Sequence, residues 1–129
     1  ESVAPRNAHS AEDLDPWNKV LTPQPGFVEQ CYFHDFAGSE GKAGIYNSAI
    51  GKGLLMEFDT AVLNHFTQWK MMGVRDYVVG LEPGNCHPDG RDVMRQQGKL
   101  QFIAPGEKVT FEIKLTMIDG DTQWEEAKK

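Results

Sequence analysis

Apolar and polar residues exchange places every second position over much of this chain, and apolar residues almost nowhere recur at the three-and-four spacing of a helix. The clearest case lies near the end. Val109, Phe111, Ile113, Leu115 and Met117 face one way along a strand, and Thr110, Glu112, Lys114 and Thr116 face the other. Leu54, Met56 and Phe58 alternate with Leu55, Glu57 and Asp59, and residues 66–72 alternate again. Residues 27–36, rich in β-branched and aromatic side chains, read as a further strand, as do 43–49 and the run from Tyr77 to Leu81. Turns separate these runs: Gly38-Ser39-Glu40-Gly41-Lys42, Gly51-Lys52-Gly53, residues 73–76, and Ala104-Pro105-Gly106-Glu107. In the last, Pro ahead of Gly predicts a type II turn. The connections at 60–65 and 92–99 suit a short helical turn each. Short strands with tight turns and no helix period predict an antiparallel all-β sandwich.

The two ends read differently. Residues 1–25 carry Pro5, Pro16, Pro23 and Pro25 among scattered polar residues, which predicts an irregular connecting segment. Within it Ser10-Ala11-Glu12-Asp13 suits one helical turn, and Trp17 is an expected anchor into the core. The strands then occupy 26–118, and the charged tail 119–129 is expected to fray. At 129 residues the chain is read as part of one domain, large enough for a real core.

Composition narrows the partners. Apolar content of 40% and charged content of 25% are ordinary globular values, so nothing points to disorder. The net charge of −6 argues against nucleic acid and against an anionic membrane surface. No apolar run is long enough to span a bilayer as a helix. Two cysteines, Cys31 and Cys86, are too few for a disulfide scaffold, which suggests reduced thiols and a cytoplasmic setting. Cys31, His34, Cys86 and His87 lack the paired spacing of a zinc site, and no metal is expected.

The densest chemistry follows the Tyr77 run. Glu82 comes at its expected end, before Pro83-Gly84, where a turn is predicted. Proline restricts the residue before it to extended backbone, so the carboxylate is aimed, with the concave face of the sheet as its expected outlook. Asn85, His87, Asp89 and Arg91 follow between Gly84 and Gly90, many hydrogen-bonding groups for one loop.

Gly80-Leu81-Glu82, Asn85, Pro88-Asp89-Gly90-Arg91, Leu100 and Pro105-Gly106-Glu107, in that order, resemble the aldose 1-epimerase (galactose mutarotase-like) family. The run from Thr67-Gln68-Trp69-Lys70-Met71-Met72 to Arg91 looks closest to a less characterised branch of it, and the likeness covers about residues 17–120. The resemblance implies the C-terminal part of a β-supersandwich, with an upstream half of the same protein, or a second chain, completing it. It implies an isomerase of sugar anomers that needs no cofactor. One group takes the anomeric hydroxyl proton, another protonates the ring oxygen, and the ring opens and recloses, each group contributing typically ~10²–10⁴-fold.

Glu82 matches the family's base. The family's acid is a His in a motif that none of His9, His34, His65 or His87 occupies, so it is expected in the upstream part, and the isolated chain is expected to be inactive. Glu29 falls near the family's sugar-binding acid, a half-exposed strand carboxylate being the alternative. Gln68, Trp69 and Lys70, candidates for the sugar, share a strand expected next to that of Glu82, with Trp69 stacking on a sugar or filling the core. Asn85, His87 and Arg91 are further candidates for the sugar, the last two suiting an anionic one. Rival functions are a non-catalytic carbohydrate-binding or sensor protein on this fold and an epimerase of phosphorylated or acidic sugars.

Overall fold

A computed structural model describes residues 2–12 and 17–129 and divides into two compact units, Glu1–Ala37 with Asn64–Phe102, and Gly38–Leu63 with Ile103–Lys129. Asp13 and Pro16, part of the expected connecting segment, lie outside the described residues.

The first unit holds a four-stranded antiparallel sheet. Its strands are β1 (Ser2–Pro5), β2 (Gln30–Asp35), β5 (His65–Met72) and β6 (Tyr77–Gly84), hydrogen-bonded in the order β1-β2-β5-β6. β1 corrects the irregular reading of residues 1–25. Four residues among prolines show no period, but pairing Val3 with His34 and Ala4 with Phe33 makes them an edge strand, where Pro5 is tolerated. The helical turn near Ser10 is present as α1 (Ala8–Glu12), and its buried Ser10 hydroxyl accepts the Cys31 backbone N–H at 3.0 Å.

Strand alternation gives this sheet two different faces. On one, Tyr32, His34, Phe66 and Met72 are buried together with Gln30, Gln68 and Lys70. Residues 17–25 are tied to the same face. The Trp17 carbonyl accepts from Gln68 Nε2 at 3.0 Å, the Leu21 carbonyl accepts from Tyr77 Oη, and the Gln24 N–H donates to the Met72 carbonyl. Trp17 meets the His34 ring edge-on, centroids 5.0 Å apart, but remains 37% exposed, so it caps this face from outside rather than anchoring in the core.

β6 runs on through Pro83 to Gly84, where a turn was expected. Its position at the sheet edge explains this: Pro83 pairs with Phe66, and on an edge strand a missing N–H costs the ladder little. Glu82 therefore lies inside the strand, not at its end. The helical turn expected at 92–99 is α2 (Arg91–Gln96), entered through Gly90 at φ 88°, a backbone region that L side chains rarely adopt.

The second unit holds β3 (Glu40–Asn47), β4 (Lys52–Asp59) and β7 (Ile113–Asp119) in the order β3-β4-β7, all antiparallel. The type II turn at 104–107 forms, with Gly106 at φ 81° and the Glu107 N–H on the Ala104 carbonyl. β7 begins only at Ile113, four residues later than the alternation from Val109 predicts. Ile113, Leu115 and Met117 share one face of β7 and are exposed, as are Val109 and Phe111 before it. The tail does not fray but forms α3 (Asp121–Ala127). Trp124 holds it, stacking on Tyr46 with ring centroids 5.2 Å apart and lying over Gly44, while Tyr46 Oη donates to Asp121 at 2.5 Å. Charge in the tail concealed that aromatic contact.

Candidate functional site

The other face of the first unit's sheet carries the chemistry. Residues paired across an antiparallel ladder point the same way, so the pairs Thr67–Glu82, Trp69–Gly80, Phe33–Thr67 and Cys31–Trp69 place all these residues on one face. His65 belongs to it as well, two residues before Thr67.

Glu82 is exposed on this face. Its carboxylate folds back over Gly80, filling the space a side chain there would take. Gly80 in turn pairs with Trp69, so carboxylate and indole are neighbours across one ladder step. Glu29, just before β2, reaches the same place: its Oε2 accepts from Trp69 Nε1 at 2.7 Å, which fixes the ring and leaves its faces to other contacts. Cys31 reports the surrounding charge. Burial pushes its thiol up, the nearby Arg6 guanidinium opposes this, and the carboxylates of Glu82, Glu29 and Asp89 push it further up. Cys31 and Cys86 are both free thiols.

Gln68 and Lys70 are a correction to the expected grouping. They flank Trp69 in sequence, but the two-residue period turns them to the buried face, where Gln68 Oε1 lies 3.1 Å from His34 Nε2. Their strand does lie next to that of Glu82, as expected, but on it they face away from the carboxylate.

The loop after β6 returns over the Glu82 face. His87 packs on Phe33 and on His65, with ring centroids 4.0 and 4.1 Å away. Burial holds both imidazoles below the ordinary histidine range, and the Lys99 charge adds to this, against the opposing pull of Asp35. Each histidine is thus biased towards its neutral form. Asp89 is held by Arg6 Nε at 3.0 Å, which ties the loop to the end of β1. Asn85, His87 and Arg91 line a cavity of about 230 Å³ walled by Met94 and Leu100.

The His65–His87 pair escaped the sequence reading, since twenty-two residues and no motif separate them. Only the register that puts His65 opposite Gly84, three residues before His87, could have revealed it. Among the described residues no cluster of three His, Cys, Asp or Glu side chains suits a metal ion, and no helix is long and apolar enough to cross a membrane.

These observations define a protein of two antiparallel β-sheets with a carboxylate and an indole side by side on one sheet face, Glu82 exposed and Trp69 half-buried. The chain belongs to the DUF4432 family, a domain of unknown function, whose pattern matches residues 1–117. It is also similar to the crystal structure of a protein from Klebsiella pneumoniae subsp. pneumoniae MGH 78578, provisionally named an aldose 1-epimerase, with a TM-score of 0.87 and 25% identity. That match covers 97% of this chain and 34% of the other, so the chain spans about a third of the length of the protein it matches. Among curated proteins none matches. The resemblance carried by Gly80-Leu81-Glu82 and Pro105-Gly106-Glu107 thus holds for the fold as a whole.

Proposed function

We propose that this protein is an aldose 1-epimerase-like isomerase that interconverts the anomers of a sugar by general acid/base catalysis, with Glu82 as the base. The observation that carries the proposal is the exposed Glu82 carboxylate beside the half-buried Trp69 indole on one sheet face, in a chain similar in fold to a protein provisionally named an aldose 1-epimerase. The two groups suit a sugar in complementary ways. An aromatic face packs against the apolar C–H side of a pyranose, and a carboxylate accepts from its hydroxyls. Glu29 holds the indole by its N–H and keeps a second carboxylate oxygen for a sugar hydroxyl.

Glu82 takes the proton from the anomeric hydroxyl as the ring opens and returns it after rotation about the C1–C2 bond. The ring oxygen must receive a proton at the same time. His65 and His87 share the face, but both are biased towards the neutral form and hold no readily donated proton at neutral pH. The acid is assigned to a group beyond these residues, as the family resemblance implies.

Glu82→Gln tests the reading, because it removes the proton acceptor at nearly constant size. In the intact protein, anomer exchange of candidate sugars, followed by polarimetry or one-dimensional NMR, should slow by roughly 10²–10⁴-fold while sugar binding survives better than turnover. Equal rates in the two proteins would rule out Glu82 as the base. Wild-type binding without any rate enhancement would instead identify a carbohydrate-binding protein.

A further inference from the structure

We infer that the cavity between the β6–α2 loop and residues 100–101, with Arg91 and His87 at its polar end, is a subsite for the anionic substituent of the sugar, a carboxylate or a phosphate ester. The inference rests on the function proposed above and narrows its substrate class to acidic sugars.

Size is the first argument. At about 230 Å³ the cavity falls below the roughly 300–1,000 Å³ of pockets that enclose a whole small ligand. It suits one substituent. Its wall is apolar at Met94 and Leu100, which weakens competition from water, and its polar groups are all able to donate: the Arg91 guanidinium, the amides of Asn85 and Gln101, and the His87 ring.

Charge is the second. Arg91 makes no ion pair among the described residues, and Asp89, the carboxylate nearest in sequence before it, is occupied by Arg6 at 3.0 Å. The planar fork of an arginine matches the paired oxygens of carboxylate and phosphate. The third is an unsatisfied group. His87 Nδ1 is buried and meets no hydrogen-bond partner among the described residues, a costly state that a ligand oxygen could relieve. The charged groups that bear on this imidazole are Lys99 beyond α2, His65 on β5, Asp89 in its own loop and Asp35 on β2. A bound anion would counter the first two.

Position is the fourth. His87 sits on His65 and Phe33, so the cavity adjoins the Glu82 face. Along β5 the step from Thr67, opposite Glu82, to His65 is two residues, roughly 7 Å. That is closer to the reach from the anomeric hydroxyl of a hexose to the outer oxygens of an anionic group at its exocyclic carbon than to the width of the ring alone.

The experiment uses the protein with glucose, glucose 6-phosphate, glucuronate and inorganic phosphate, by calorimetry and by histidine NMR. A charge-assisted contact should make at least one of the two anionic sugars bind roughly 10–100-fold tighter than glucose. Whichever is preferred identifies the group as phosphate or carboxylate. Arg91→Gln should erase the preference while leaving glucose binding unchanged, and it replaces an exposed residue, so folding is not at stake. Inorganic phosphate alone should raise the pKa of His87, and Arg91→Gln should abolish that shift. Equal binding of neutral and anionic sugars, a preference that survives Arg91→Gln, or a His87 signal indifferent to phosphate would overturn the inference. A phosphate-dependent His87 shift in a protein whose exchange rate ignores Glu82→Gln would leave the subsite standing and remove the proposed function.

Discussion

Gly80 lies in the middle of β6 opposite Trp69, and the Glu82 carboxylate occupies the space where a side chain at Gly80 would be. Gly80→Ala therefore probes the placement of the base without touching its chemistry. The added methyl overlaps Glu82 Oε1 and comes within 3.2 Å of Cδ and 3.4 Å of Cγ. The backbone of Gly80 has no positive φ, so alanine introduces no strain in the strand itself. The overlapping atoms are the far end of a flexible side chain, so the carboxylate yields and the strand does not. Relief requires a shift on the order of 1 Å, and a misplacement of ~1 Å costs about 10²-fold in rate. Stability should move the other way, since alanine in a strand interior gains roughly 0.5–1 kcal/mol over glycine. The assay is anomer exchange by NMR in the intact protein beside thermal unfolding by circular dichroism. The expected result is exchange about 10²-fold slower, with Tm unchanged or a few degrees higher. An unchanged rate would refute the placement of Glu82 as the base, and a collapse of Tm would refute the claim that only the carboxylate yields.

Other consequences concern titration. The Tyr46 phenol, bonded to Asp121, has its pKa raised from 10.0 to about 12, so any stability the bond gives is intact below pH 10 and lost as pH rises towards 12. Asp121→Asn should return the tyrosine towards its ordinary value in an ultraviolet difference titration, and an unmoved titration would sever the link between α3 and β3. His65 and His87 have folded pKa values depressed below 6.5, so their contribution is present above that pH and lost as acid protonates them. Stability measured by urea unfolding should begin to fall just below pH 6.5, and the double variant His65→Gln with His87→Gln should flatten that limb; an unchanged limb would show that other groups set it.

The alternation of apolar residues made the strands legible because half-buried strands must alternate, and β4, β5 and β6 stand within two or three residues of where it places them. What stayed hidden depended on partners far away in sequence. β1 is a strand only because β2 offers it an edge, and α3 is ordered because Trp124 finds Tyr46 seventy-eight residues back. Pro83 reads as a stop signal in isolation, yet the edge position of β6 lets the strand pass through it. The Val109–Met117 pattern failed in a different way. It is a true alternation, but its early residues lack a strand to pair with among the described residues, and side-chain pattern without a ladder partner does not make a strand.

The candidate site was half legible for a related reason. Trp69 and Glu82 come from strands that are adjacent in sequence and in space, so a motif along the chain could bring them together. Gln68 and Lys70 belong to the same motif but not to the same face, because each step along a strand reverses the outlook of the side chain. Neighbours in sequence are thereby assigned opposite work. Gln68 bonds the Trp17 carbonyl and lies by His34 under residues 17–25, holding the closed face together, while Trp69 between them is held by Glu29 on the open one. This separation has a mechanical benefit for the proposed chemistry. The strand that presents the indole, and pairs with the strand of the base, is fastened from behind by buried polar contacts, so the open face is backed by a fixed platform while Glu82 keeps its own freedom to accept and return a proton.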